Sequence, residues 1–131
     1  MEEQPIFKWV QVISAIGDEN RLAIMLALHN SGYVKRNHIE AKQPNLCDDE
    51  TLSFSQIQIA ANIRSDASLS YHLSKLIEAK LVDQLPTTDT NEPVFSMYKA
   101  SATWKQFTAD FGITEKIKEY VQHKYPSAHG I

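Results

Sequence analysis

The stretch Ser68-Leu69-Ser70-Tyr71-His72-Leu73-Ser74-Lys75-Leu76-Ile77-Glu78-Ala79-Lys80-Leu81-Val82 changes its hydrophobic period partway along. Leu69, Leu73, Leu76 and Ile77 recur at helical spacing and make one apolar stripe. Asp66 is placed to cap this helix, which the pattern runs from Ala67 to Ala79. Leu81-Val82 then starts a strand. Pro86 to Pro93 is rich in Thr, Asp and Asn and reads as a turn, and Val94-Phe95-Ser96-Met97-Tyr98 returns as a second strand, so residues 81–98 form a β-hairpin. On the other side, Ser53 or Ser55 caps a short helix in which Phe54, Ile57, Ala60 and Ala61 share a face. Asn62-Ile63-Arg64-Ser65 is a tight connection between the two helices. Helix, turn, helix and hairpin in that order predict a mainly α fold with a small β-hairpin wing, the winged helix-turn-helix arrangement.

Further out, Ile6 to Ile16 reads as a first helix, with Pro5 at its start and Gly17 at its end. Asp18 can N-cap a second helix that runs to about His29, with Glu19 where the helix dipole favours a carboxylate. Asn30-Ser31-Gly32 ends it with turn residues. Residues 30–52 show no sustained period and read as an insertion loop, with at most one helical turn around Asn37 to Lys42. Ala102 to Phe111 and Thr114 to Tyr125 are two closing helices separated by Gly112. Pro126 stops the last one, and the final residues fray. The whole chain, 1–131, is expected to be one domain: N-terminal helices 5–29, loop 30–52, helix-turn-helix 53–80, wing 81–98 and C-terminal helices 101–125.

A chain of 131 residues with 43% hydrophobic and 22% charged residues has the composition of one globular domain. That length buries about two-thirds of the unfolded surface in a single core. There is no apolar run of membrane-spanning length, and the acidic start Met1-Glu2-Glu3-Gln4-Pro5 lacks the features of a secretory signal. A lone cysteine, Cys47, makes no internal disulfide. These features lead us to expect a cytoplasmic protein. The formal charge is −3. Residues 53–80 carry Arg64, Lys75 and Lys80 against Asp66 and Glu78, whereas residues 81–98 carry Asp83, Asp89 and Glu92 with no basic residue. No segment is a strong polycation, which argues against a sequence-blind nucleic-acid coat.

Two stretches resemble the ArsR-type winged-helix transcriptional regulators. Ile16-Gly17-Asp18-Glu19-Asn20-Arg21-Leu22-Ala23-Ile24-Met25 is similar to the family's small turn followed by Arg-Leu and Ile-Leu. The stretch 68–82 is similar to its Ser-x-His-Leu recognition helix and the strand that follows. The resemblance covers roughly residues 6–29 and 53–125. Three departures stand out. Lys80 occupies the place of a helix-ending glycine, the turn between the two helices lacks glycine, and some twenty residues are inserted before residue 53. The resemblance implies a two-fold homodimer paired through the first and last helices, which places two recognition helices about one DNA turn apart.

With the leucine stripe inward, Ala67, Ser68, Ser70, Tyr71, Ser74 and Lys75 fall toward solvent. Short hydroxyls allow close approach to base edges in the major groove, where they donate or accept. Tyr71 adds an apolar face for a thymine methyl, and Lys75 and Arg64 offer phosphate contacts on either side. His72 borders the packed face. It either meets DNA, as the resemblance implies, or is hydrogen-bonded within the domain. The wing is the puzzle, because carboxylates near a phosphate backbone are repelled. In the terminal helices, Phe7, Trp9, Val10, Ile13, Trp104, Phe107, Phe111, Ile113, Ile117, Tyr120 and Val121 supply more apolar bulk than a small core needs. They are read as the dimer contacts, the alternative being that the terminal helices fold back on their own domain.

The function expected is therefore a homodimeric, sequence-specific double-stranded DNA-binding regulator without catalytic residues, cofactor or metal, its effector unassigned. No phosphate loop, nucleophile elbow or metalloprotease motif is present. Two alternatives stay open. One is a winged-helix protein-interaction module without DNA binding, which the acidic wing favours. The other is a metal or thiol sensor. Glu119 and His123 are spaced i,i+4, and His38, Cys47, Asp48 and Asp49 share a loop, but neither set matches a metal motif. No basic residue lies within four positions of Cys47 to lower its pKa.

Overall fold

The computed structural model describes residues 9–39, 50–87 and 95–125. The chain is mainly helical, with a small antiparallel sheet of strand order β1-β3-β2. Helix α1, Val10–Ile16, follows Trp9, and Phe7 and the expected start near Ile6 lie outside the described residues. Asp18 caps α2, Glu19–His29, as its sequence predicts: its carboxylate accepts from the amides of Asn20 at 2.8 Å and Arg21 at 3.1 Å. Helix α2 crosses the middle of the domain and buries Ile24, Met25, Ala27 and Leu28.

The expected turn at Asn30-Ser31-Gly32 is only a kink. Asn30 leaves helical dihedrals at φ −134° and ψ 55°, and the chain then re-enters a helix. Helix α3, Ser31–Val34, passes into a π-helical turn, Lys35–Ile39. Complete burial of Val34 and the Asn37 amide bond to the Tyr33 carbonyl hold this segment, which polar composition had marked as loop. Residues 40–49 of the expected loop lie outside the described residues.

Strand β1, Leu52–Ser53, pairs with β3 at Leu52↔Tyr98. Two residues are too short to show alternation, so no sequence pattern marks this strand. Ser53 then caps α4, Phe54–Ala61, in a capping box: its hydroxyl accepts from the Gln56 amide, and the Gln56 side chain accepts from the Ser53 amide. Asn62 ends α4 in the left-handed region at φ 56°, which asparagine tolerates better than most residues. The cap of α5, Asp66–Glu78, is Ser65 and not Asp66: the Ser65 hydroxyl accepts from the Ser68 amide at 3.2 Å. Asp66 sits instead in the first turn, where the dipole favours it.

Lys80 adopts φ 64°, and bonds from the Lys80 and Leu81 amides to the Ile77 and Leu76 carbonyls close the end of α5. Strand β2, Val82–Thr87, runs through Pro86 and pairs with β3, Phe95–Ala100, in the register Val82↔Ala100 to Thr87↔Phe95. The strand therefore takes in Pro86, where the composition predicts a turn. As an outer strand of the sheet, β2 accommodates a residue that lacks an amide hydrogen. Residues 88–94 lie outside the described residues. Ser101 caps α6, Ala102–Asp110, and its hydroxyl donates to the Lys80 carbonyl at 2.6 Å. Gly112, at φ 65°, turns the chain into α7, Thr114–Lys124.

The packing corrects the reading of the terminal aromatics. Trp9, Trp104, Phe107, Ile117 and Val121 are all buried in the core of their own chain. The Trp9 indole donates to Asp110, its ring meets Phe107 edge-on at 5.7 Å, and the Trp104 indole donates to His29 Nδ1 at 2.9 Å. These side chains find their partners within their own chain. Burial of each large side chain stabilises the fold by about 1.5–3 kcal/mol. Tyr125 closes the package with a bond from its hydroxyl to the Ala60 carbonyl. Among the described residues, no helix is long and apolar enough to cross a membrane.

Candidate nucleic-acid interface

Helix α5 has one packed side and one open side. Leu69, Leu73 and Leu76 are buried, whereas Ala67, Ser70, Tyr71, Ser74 and Lys75 are exposed and Ser68 is half-buried. The open side is made of small side chains around Tyr71, which is 54% exposed. Arg64 is exposed in the turn just before the helix. The Gln58 side chain holds that turn, donating to the Arg64 carbonyl at 3.3 Å and to the Asp66 carboxylate at 2.8 Å.

The hydroxyls differ in what they offer. Ser74 donates to the Tyr71 carbonyl at 2.9 Å and so presents only lone pairs. Among the described residues Ser70 makes no such bond and can either donate or accept. The Lys75 ammonium lies 5.6 Å from the Tyr71 ring centre and 3.6 Å from the Glu78 carboxylate. Both contacts keep Lys75 on the open side. Asp66 and Glu78 put a carboxylate at each end of the helix, which lowers the positive potential of the face.

His72 departs from the DNA-facing expectation. It is buried at the crossing of α5 with the start of α2. Its Nδ1 is 3.3 Å from an Arg21 terminal nitrogen, and its Nε2 is 3.5 Å from the Asn20 amide nitrogen. The Asp18 carboxylate stands 3.9 Å away. Arg21 also donates from Nε to the Ala15 carbonyl at 2.6 Å, so one guanidinium ties α1, α2 and α5 together. Burial pushes the Asp18 carboxyl up. The Arg21 and Asn20 amide bonds and the charges of His72 and Arg21 outweigh it, and its pKa ends below the usual value. Sequence reading misses Asn20, Arg21 and Gln58 as parts of this face. For Asn20 and Arg21 the partner, His72, lies some fifty residues away, where no local pattern announces it, whereas the Gln58 partners lie six and eight residues on.

The hairpin presents Asp83, Gln84 and Leu85 to solvent, and Asp83 lies across the strands from Lys99. Among the expected dimer residues, Val10 and Ile13 on α1 and Tyr120 on α7 are exposed, as is Phe111 after α6. Glu119 and His123 are exposed on α7, and no group of three potential metal ligands forms among the described residues. The side chain of His38, together with Cys47, Asp48 and Asp49, lies outside the described residues.

A family model, Domain of unknown function (DUF7347), matches residues 10–88, the span from α1 to the end of β2. No curated protein and no solved structure matches the chain.

Proposed function

The chain belongs to the DUF7347 family, a domain of unknown function, and within that family we propose a homodimeric winged-helix regulator that binds double-stranded DNA in a sequence-specific manner. The observation that carries this reading is the open side of α5. Small residues and one tyrosine project from a helix whose opposite side is packed, and the turn before it is fixed by Gln58. A helix of this kind fits a major groove, where Ser70 and Ser74 meet base edges and Tyr71 meets a thymine methyl. Arg64 and Lys75 meet phosphates, and the β2–β3 hairpin is the wing. The plan resembles that of the ArsR-type regulators.

Val10, Ile13 and Phe111 are the apolar groups left open where α1 and the end of α6 meet, a meeting fixed by the Trp9–Asp110 bond. We assign the two-fold contact to this side, with Tyr120 on α7 as a further contact. An effector would act by shifting the population between dimers whose reading helices match, or do not match, the spacing of the groove.

The second reading, a protein-binding winged helix, is favoured by the acidic hairpin and by the carboxylates at both ends of α5. The test between them is the double variant Ser70→Ala/Tyr71→Ala. Both side chains are exposed, so the fold is expected to persist while specific duplex affinity drops by about 10-fold or more, as befits loss of base contacts. Unchanged anisotropy titrations would exclude α5 as the reading helix.

A further inference from the structure

Beside the reading face lies a cleft of about 420 Å³ lined by Gln11, Ser14 and Ala15 of α1, Arg21 of α2, and Lys75, Glu78 and Ala79 of α5. Arg21 and Lys75 are far apart in sequence, and folding brings both to one cavity in a chain whose formal charge is −3. The Arg21 guanidinium is already oriented, through Nε on the Ala15 carbonyl and a terminal nitrogen on His72. Its remaining N–H groups have no partner among the described residues. Gln11 and Ser14 are exposed on the facing wall and likewise make no side-chain hydrogen bond there. The one carboxylate lining the cleft is Glu78, 3.6 Å from Lys75. Asp18 is outside the lining, 3.9 Å from His72 and bonded to two backbone amides, and its charge also interacts with that of Arg21.

A planar guanidinium held in place, an ammonium and two neutral donors suit a single tetrahedral anion. We propose that this cleft seats a backbone phosphate of the bound DNA, held by Arg21 and Lys75. The assignment rests on the DNA-reading face proposed above. Arg64 stands before the other end of α5. From Ser65 to Lys75 the helix rises about 15 Å at 1.5 Å per residue. That length compares with a major groove about 12 Å wide, so the two cationic points reach its opposite walls. The cleft thereby supplies the phosphate anchor that the acidic wing lacks. Its far wall is α1, part of the proposed dimer contact, so a seated phosphate also fixes the angle between α5 and the dimer axis.

The experiment measures binding of the full chain to a fluorescent mixed-sequence duplex over a series of salt concentrations, with urea midpoints to verify folding and sedimentation to verify that each variant keeps the mass of the unaltered chain. Ser14→Glu adds a charge to the α1 wall without touching α5, and it is expected to weaken binding about fivefold or more. Glu78→Gln removes the competing carboxylate and is expected to tighten binding. Lys75→Gln is expected to make the log–log salt slope shallower by about 0.9, one phosphate contact. Gln122→Glu places the same added charge on α7 and is expected to leave affinity within about twofold. If the unaltered chain binds the duplex but Ser14→Glu and Gln122→Glu behave alike, the cleft assignment falls and the reading face stands. If the unaltered chain binds no duplex even at low salt, both fall together.

Discussion

Lys80 ends α5 at φ 64°, a conformation in which a β-carbon costs about 1 kcal/mol relative to glycine. Its side chain is exposed, and its backbone carries the useful contacts, the amide to the Ile77 carbonyl and the carbonyl to the Ser101 hydroxyl. Lys80→Gly keeps both. It is expected to stabilise the protein by about 0.5–1 kcal/mol, seen as a higher urea midpoint at unchanged slope. A lower midpoint would mean that the lysine side chain contributes more than its backbone strain costs. The sequence pointed to this position only through the resemblance, in which Lys80 occupies the place of a helix-ending glycine. His72 was legible only as a boundary residue. Its burial depends on Arg21 and Asn20, which reach it from another helix and leave no trace in the spacing around it.

At the scale of elements, some helix caps were readable and the junctions were not. Asp18 before α2 and Ser53, one of two serines offered before α4, act within four residues, whereas the cap of α5 fell one residue before the expected Asp66. Strand β1 pairs with β3 across some forty-five residues, and Val34, just before the π-helical turn, is completely buried, neither of which a local period encodes. The end of α2 shows the same dependence and gives a pH test. His29 Nδ1 accepts from the Trp104 indole, and its Nε2 sits 3.3 Å from the Thr114 carbonyl, so the ring fits neutral. Burial pushes its pKa below 6.5, assisted by the charges of Lys118 and Lys105 and opposed by the Thr114 carbonyl and Glu115. The unfolded chain therefore takes up a proton before the folded one does. This contribution to stability is full above pH 6.5 and is lost as the pH falls from there through the lower folded-state pKa. The urea midpoint of His29→Gln is expected to decline less over that range than that of the unaltered chain. Parallel profiles would show that His29 titrates alike in both states.

For the whole molecule, the apolar surplus of the terminal helices divides into buried side chains and exposed ones, and the exposed ones are the proposed contact. Trp104 fills the core, and Trp104→Ala is expected to cost about 3–5 kcal/mol, as large core truncations do. Ile13 is 39% exposed on α1, and Ile13→Glu is expected to give a folded monomer in sedimentation. A dimer of unchanged mass would move the contact away from α1. Sequence showed the surplus of apolar side chains but not its division, since α1, α6 and α7 carry inward and outward residues on the same short helices. Two copies of α5 are proposed to read DNA together, and selection of sites from a random duplex pool by the purified protein tests this most directly. An inverted repeat whose half-sites lie about one helical turn apart is expected to be enriched. A folded protein that enriches no sequence at low salt would contradict the proposal.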